Sequence, residues 1–297
     1  MSQTADLPCE LEGDGNLYGL GIRTGYYLQW LGLILAYHFF PKNVAEAWIA
    51  LETFQLGMLV TIIWKVTEHH NSEHLYNIDV FIAVIFGQGG GLTSQTAGLI
   101  MGSSEIHPSM ITTYASTLTN LGFSAVGVWF WFVGIEVLDQ TPCEAVVFFF
   151  ARTSLRGWFA SFSKTVACLS LVANVLNAAY ITWDSKVQLR ATPKLYDALR
   201  WIFLPERPSG SPLQQTSHPQ HSGLARPVTL ATQLVVYTFF ILMVEIALLW
   251  NDIRDVNTLK DTGQIIPLMM GLALLLRTLK AIIVRRVFPV THEGSAE

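Results

Sequence analysis

The chain has 297 residues, 51% of them hydrophobic and only 13% charged, with a formal net charge of −4. A soluble domain carries about a quarter charged residues, so this composition excludes an ordinary soluble enzyme and predicts a protein built into a bilayer. No basic stripe is interleaved with aromatics, so a nucleic-acid partner has no support.

The first segment, Met1–Asn16, contains Asp6, Glu10, Glu12 and Asp14 but no Lys or Arg. A secretory signal begins with a basic region, so 1–16 reads as a tail ahead of an uncleaved anchor. A bilayer span needs roughly 20 mostly apolar residues. Seven stretches qualify, at about 17–40, 44–65, 79–101, 113–137, 162–183, 229–250 and 263–284. The predicted fold is therefore all-α, a polytopic transmembrane helical bundle filling 1–297 as a single domain. Val146–Ala151 is too short to span and reads as a re-entrant or interfacial piece. The connection 184–228 is long. Within it, Lys194–Leu204 has the pattern of a helix lying on a membrane surface, and Ser209–Gly223 has the composition of a disordered segment. Lys and Arg are more numerous on the side carrying 184–228 and the tail 285–297. The bias of cytosolic loops toward these residues places the N-terminus in the lumen, of the endoplasmic reticulum for preference, and the C-terminus in the cytosol. Cys9, Cys143 and Cys168 have unrelated spacings, which predict neither a disulfide framework nor a thiolate metal site.

Ionisable residues within spans are costly and are functional candidates by default. Here they are Arg23, Glu52, Asp79, Glu136, Glu245 and Arg277. In the first span, Arg23, Tyr27, Trp30 and His38 share a face, and Arg23 could pair with a carboxylate on another helix or reach for the interface. In the second, Trp48, Glu52 and Gln55 share a face. Desolvation disfavours a charged Glu52, which makes it either a structural acid bonded to backbone or a proton donor. In the third, Gly87–Gly91 (with Gln88 within it) predicts a weakened or broken helix, tolerated at depth only where protein or a watery cavity covers it. The fourth ends in Trp129, Trp131 and Glu136. The fifth presents Ser170, Asn174 and Asn177 on one stripe, suited to ligand binding or to joining helices. The sixth spaces Thr238, Glu245 and Asp252 by seven and closes on Trp250-Asn251. Two short motifs carry little weight: His70-Asn-Ser-Glu-His74 lies in a polar connection rather than a helix able to hold zinc, and Asn251-Asp252-Ile-Arg-Asp255 lacks a second aspartate-rich partner.

Two stretches carry a resemblance: Leu17-Tyr-Gly-Leu-Gly-Ile-Arg-Thr-Gly-Tyr-Tyr-Leu-Gln-Trp30, and Glu245-Ile-Ala-Leu-Leu-Trp-Asn251 with Thr262-Gly-Gln-Ile-Ile-Pro-Leu268. Together they resemble fungal integral membrane proteins that include the membrane-bound terpene cyclases of ascochlorin, ascofuranone and macrophorin type. The resemblance covers the ends of the chain better than its middle. It implies Arg23, Tyr27, Trp30, Glu245, Trp250, Asn251 and Gln264 as matching positions, while Asp252 and Asp255 depart from the pattern. The expected activity is protonation and cyclisation of a farnesyl or epoxyfarnesyl chain on an aromatic or quinone-like head, a meroterpenoid step. Glu245 is the first candidate for the acid and Glu52 the second. Glu136 and Arg23 would tune them, and Asn174 and Asn177 would contact substrate. No metal or other cofactor is called for, because no diphosphate leaves. The alternatives are a proton-coupled carrier using the same carboxylates and a receptor-like protein without catalysis.

Overall fold

Long apolar runs can satisfy their backbone groups in hydrocarbon only by coiling into helices, and helices dominate this chain. The computed structural model describes residues 11–39, 44–68, 74–101, 110–141, 143–191, 225–259 and 262–287. In order the elements are β1 (Leu11–Glu12), α1 (Gly15–Tyr18), α2 (Leu20–Phe39), α3 (Val44–Glu68), α4 (Asn77–Met101) and α5 (Met110–Trp129). A π-helical turn, Phe130–Gly134, leads into α6 (Ile135–Val137). Then come β2 (Val146–Phe149), β3 (Ala151–Ser154), α7 (Trp158–Ala191), α8 (Ala225–Trp250), β4 (Ile253–Arg254) and α9 (Thr262–Val287). Among the described residues, five segments are individually long and apolar enough to cross a membrane: Val44–Glu68, Thr112–Val137, Trp158–Trp183, Pro227–Trp250 and Thr262–Val284.

The interior belongs to α2 and α4. In α2, Arg23, Tyr26, Gln29, Trp30, Leu33 and Tyr37 are all buried, and α4 is buried almost continuously from Ile78 to Phe86. By contrast α7 turns Leu169, Val172, Leu176 and Tyr180 outward. Aliphatic side chains exposed on α7, around an apolar interior that also holds Arg23, Gln29, Glu52 and Gln55, are the pattern expected of helices surrounded by lipid.

One end of the bundle is tied together by the segments between helices. β1 pairs in parallel with β4, so the N-terminal strand docks onto the turn after α8. Lys65 at the end of α3 bridges to Asp14 at 2.6 Å, and Tyr18 donates to Asp79 at the start of α4. Tyr76 pairs with Asp139 beyond α6. The long helices consequently run alternately toward and away from this end.

Glycines set the closest approaches. A Cβ at Gly21 or Gly25 would strike the backbone of Gln264 or Pro267, and one at Gly271 would strike that of Gly25. The start of α2 and the start of α9 thus lie against each other backbone to backbone. The glycine run of α4 does not break the helix, contrary to the sequence expectation. Each missing side chain admits a group from elsewhere: the Phe123 ring at Gly87, Trp30 at Gly89, Gln55 at Gly90 and Asn120 at Gly91. Inserted neighbours replace what the glycines lack, which offsets their weak helix propensity of about 1 kcal/mol each.

Val146–Ala151, expected as a re-entrant or interfacial piece, does not form a helix. It is most of an antiparallel hairpin, β2 with β3, turned at Phe150 in a left-handed conformation (φ 61°). Asn251 latches it to α8: Val146 N–H donates to Oδ1 at 2.9 Å, and Nδ2 donates to the Val146 carbonyl at 2.6 Å. Just before the hairpin, Cys143 is disulfide-bonded, a departure from the expectation of no disulfide; Cys168 is free and exposed. The predicted loop 184–228 begins later, because α7 continues to Ala191, and ends earlier, at Ala225. The expectations for Lys194–Leu204, Ser209–Gly223 and His70–Glu73 lie outside the described residues.

Candidate functional site

Arg23 and Glu245 come together as a pair joining α2 to α8. Arg23 Nε lies 3.1 Å from Glu245 Oε1, an ion pair by distance rather than an aligned hydrogen bond. Arg23 Nη2 donates to Asn257 Oδ1 at 2.8 Å in the turn before α9, while Nη1 is buried without a partner among the described residues. Tyr27, one helical turn along from Arg23, donates to the same Oε1 of Glu245 at 2.8 Å. The two side chains differ sharply in exposure, 2% for Arg23 and 41% for Glu245. The geometry fixes one carboxylate oxygen between a guanidinium and a phenol and leaves Oε2 reachable from outside. Arg23 does not snorkel.

Aromatic rings pack behind this pair. Trp30 is fully buried, with Tyr27, Phe86, Tyr237 and Phe240 all at centroid distances of 6.0 to 6.5 Å, and Tyr26 stacks on Phe86 at 4.9 Å. A ring face attracts positive charge through its quadrupole, so this cluster suits a developing carbocation. A separate cavity of about 210 Å³ opens between α4, α7 and α8. Its walls include Phe81, Trp131, Phe149, Phe159, Phe162, Phe239 and Phe240, with Gln88 and Ser163 as its polar lining. It holds no carboxylate, but Phe240 belongs both to its wall and to the ring cluster around Trp30.

Glu52 lies in a second polar region, between α3 and α5. It is 5% exposed. Its Oε1 accepts from Trp48 Nε1 at 2.9 Å and from Ser116 Oγ at 2.7 Å, and Asn120 in turn contacts Ser116. Its Oε2 has no partner among the described residues, nor do the hydroxyls of Tyr26 and Tyr37, Trp30 Nε1 or Gln55 Oε1. An unsatisfied buried donor or acceptor costs about 1–3 kcal/mol, so these five atoms, one of them the carboxyl's own Oε2, are a concentrated cost.

The other sequence candidates serve different ends. Glu136 is exposed and pairs with Arg156 at 3.5 Å, outside either polar region. Asn174 is buried and donates to Ser124 Oγ at 2.9 Å, joining α7 to α5. Asn177 is exposed on α7. Asn251 is the hairpin latch, and Trp250 packs on Phe148 with Arg152 over its face at 6.0 Å. Gln264 is buried against Gly15, Gly19 and Gly21, with both polar atoms unpartnered among the described residues. Asp252 and Asp255 adopt left-handed backbone angles (φ 46° and 62°), which Asp tolerates better than most residues. They flank β4, one on each side, and Asp252 pairs with Arg254 at 3.1 Å. Arg277 pairs with Glu46 at the rim of a groove of about 280 Å³ between α3 and α9. Sequence reasoning missed Asn257, Tyr26, Tyr37 and the phenylalanine cavity. The two tyrosines stand out only as hydroxyls in an apolar span, and the cavity has no local signal.

Compared with protein-family models, with curated proteins and with solved structures, the chain matches none. The class defined by fold is an all-α protein with helices able to span a membrane, and function must be argued from its sites.

Proposed function

We propose that all seven long helices cross the bilayer and that the protein is a metal-independent terpene cyclase, protonating and closing a farnesyl or epoxyfarnesyl chain carried by an aromatic or quinone-like head. The observation that carries this reading is the clamped carboxyl of Glu245, with Oε1 held by Arg23 and Tyr27 and Oε2 open, beside the rings around Trp30. Charge stabilisation aimed at where charge develops is the strongest catalytic device available to a side-chain site. For turnover Glu245 must enter protonated at Oε2; when that proton leaves for an epoxide oxygen or a terminal alkene carbon, the ion pair with Arg23 re-forms and the negative charge left on the carboxylate is met by a guanidinium and a phenol already in place. Alkene π electrons then form the new carbon–carbon bonds, ring faces stabilise the migrating cation, and a final proton loss ends the sequence. The phenylalanine-lined cavity suits the hydrocarbon chain. The resemblance at Arg23, Tyr27, Trp30 and Glu245 points the same way.

Membranes containing the protein, incubated with an epoxyfarnesyl arene, should yield a product of unchanged mass with fewer alkenes. No conversion of any prenylated arene would overturn the reading. Proton-coupled transport is the second reading, favoured by Glu52, a buried carboxyl with no cationic partner among the described residues. Proton uptake into proteoliposomes driven by a solute gradient would favour it.

Disulfide bonds persist in oxidising compartments, and the disulfide of Cys143 lies at the same end of the bundle as β1. This supports the reading that this end faces the lumen and the C-terminus the cytosol, the orientation the Lys and Arg bias also favours.

A further inference from the structure

We propose that Glu52 heads an enclosed, hydrated proton-binding site between α2, α3, α4 and α5, distinct from the Arg23–Glu245 pair. Two of the hydroxyls already named, those of Tyr26 and Tyr37, are buried on α2, which packs directly against α3. From α3 itself come Trp48, which donates to Oε1, and Gln55, whose Nε2 donates to the Gly87 carbonyl while Oε1 is left over. From α5 come Ser116 and Asn120, and α4 contributes the backbone of its glycine run, with the Gly87 carbonyl accepting from Gln55. No Lys, Arg or His is among the hydrogen-bond partners of Glu52. At Gly90, Gln55 and the Trp30 indole nitrogen lie side by side.

The mixture of unpartnered groups identifies the ligand. Trp30 Nε1 can only donate, Gln55 Oε1 can only accept, and the two phenols can do both. A metal cation cannot satisfy an indole N–H, and an anion would face a carboxyl. Water serves all of them, since a buried water makes about three hydrogen bonds and settles where polar groups would otherwise be orphaned. Both donors to Glu52 converge on Oε1, so Oε1 has the environment of a carbonyl oxygen and Oε2 that of the O–H. The site stores a proton on Oε2 and exchanges it through internal water. This holds whether or not the chain cyclises terpenes.

Infrared spectroscopy of the full-length protein in lipid nanodiscs at neutral pH tests it. The parent should show a protonated-carboxyl C=O band that shifts down in heavy water. Ser116→Ala removes a donor to the carbonyl oxygen and should shift that band up, and Glu52→Gln should abolish it. Ser116→Ala and the isotope shift decide the matter even if Glu52→Gln fails to fold. A band absent from the parent, insensitive to heavy water, or unmoved by Ser116→Ala overturns the proposal.

Discussion

Arg23 on α2 and Glu245 on α8 meet at 3.1 Å, yet the arginine is 2% exposed and the glutamate 41%. Removing one partner of a buried pair costs more than the pair is worth, because a charge is left behind in a poor solvent. Glu245→Ala should therefore lower stability by about 3 kcal/mol, near the low end for buried pairs since Glu245 is partly exposed. Adding Arg23→Met should recover part of that loss. Thermal unfolding of the two single variants and the double variant measures the coupling, and simple additivity would show that the pair is not a unit.

The glycines separate two mechanisms in the same fold. Gly25→Ala drives a methyl into the Pro267 carbonyl, backbone that cannot rotate away, and should cost about 1–3 kcal/mol. At Gly57 a Cβ meets nothing within 4 Å, so Gly57→Ala should stabilise α3 by about 0.5–1 kcal/mol. Melting curves for both in one detergent check the sign of each.

How far the sequence revealed this architecture depends on where the information sits. An arginine deep in an apolar span must find a partner or a route to water, so the pairing of Arg23 with a carboxylate was readable; that the carboxylate is Glu245 required the packing of α8 on α2. The run at Gly87–Gly91 reads as a weakened or broken helix because local propensity counts only what glycine lacks. The side chains filling those positions come from α2, α3 and α5, and no window along the chain contains them. The hairpin was hidden because eight strand residues without a paired partner look like a short apolar insertion, and its latch, Asn251, lies on α8. Asp252 and Asp255 looked like half a metal motif but answer a need for positive φ.

Asn251→Ala should free the hairpin from α8 without unfolding the bundle. Both latch bonds to Val146 vanish, a loss of about 2 kcal/mol at typical hydrogen-bond values. Amide exchange at 146–154 should accelerate several-fold while that in α4 stays unchanged.

Glu136 offers the opposite expectation. Its partner Arg156 is at the surface, 3.5 Å away, and exposed ion pairs contribute about 0–1 kcal/mol. Glu136→Gln should leave stability and turnover near the parent values, and a large loss of turnover would return Glu136 to the catalytic set.

The proposed orientation puts the stretch between α7 and α8 in the cytosol. A glycosylation acceptor placed within Ser209–Gly223 should remain unmodified in microsomes, and the Cys143 disulfide should resist the cytosolic reductant. A glycosylated tag would invert the bundle.

The central claim is that Glu245 delivers the proton. Glu245→Gln keeps the shape and the hydrogen-bonding capacity of the side chain but has no acidic proton to give. Turnover of an epoxyfarnesyl arene by membranes containing this variant should fall by about 10²-fold or more, the usual scale for losing general acid catalysis, with Glu245→Asp retaining part of the activity. Full turnover by Glu245→Gln, at parent levels of folded protein, would contradict it.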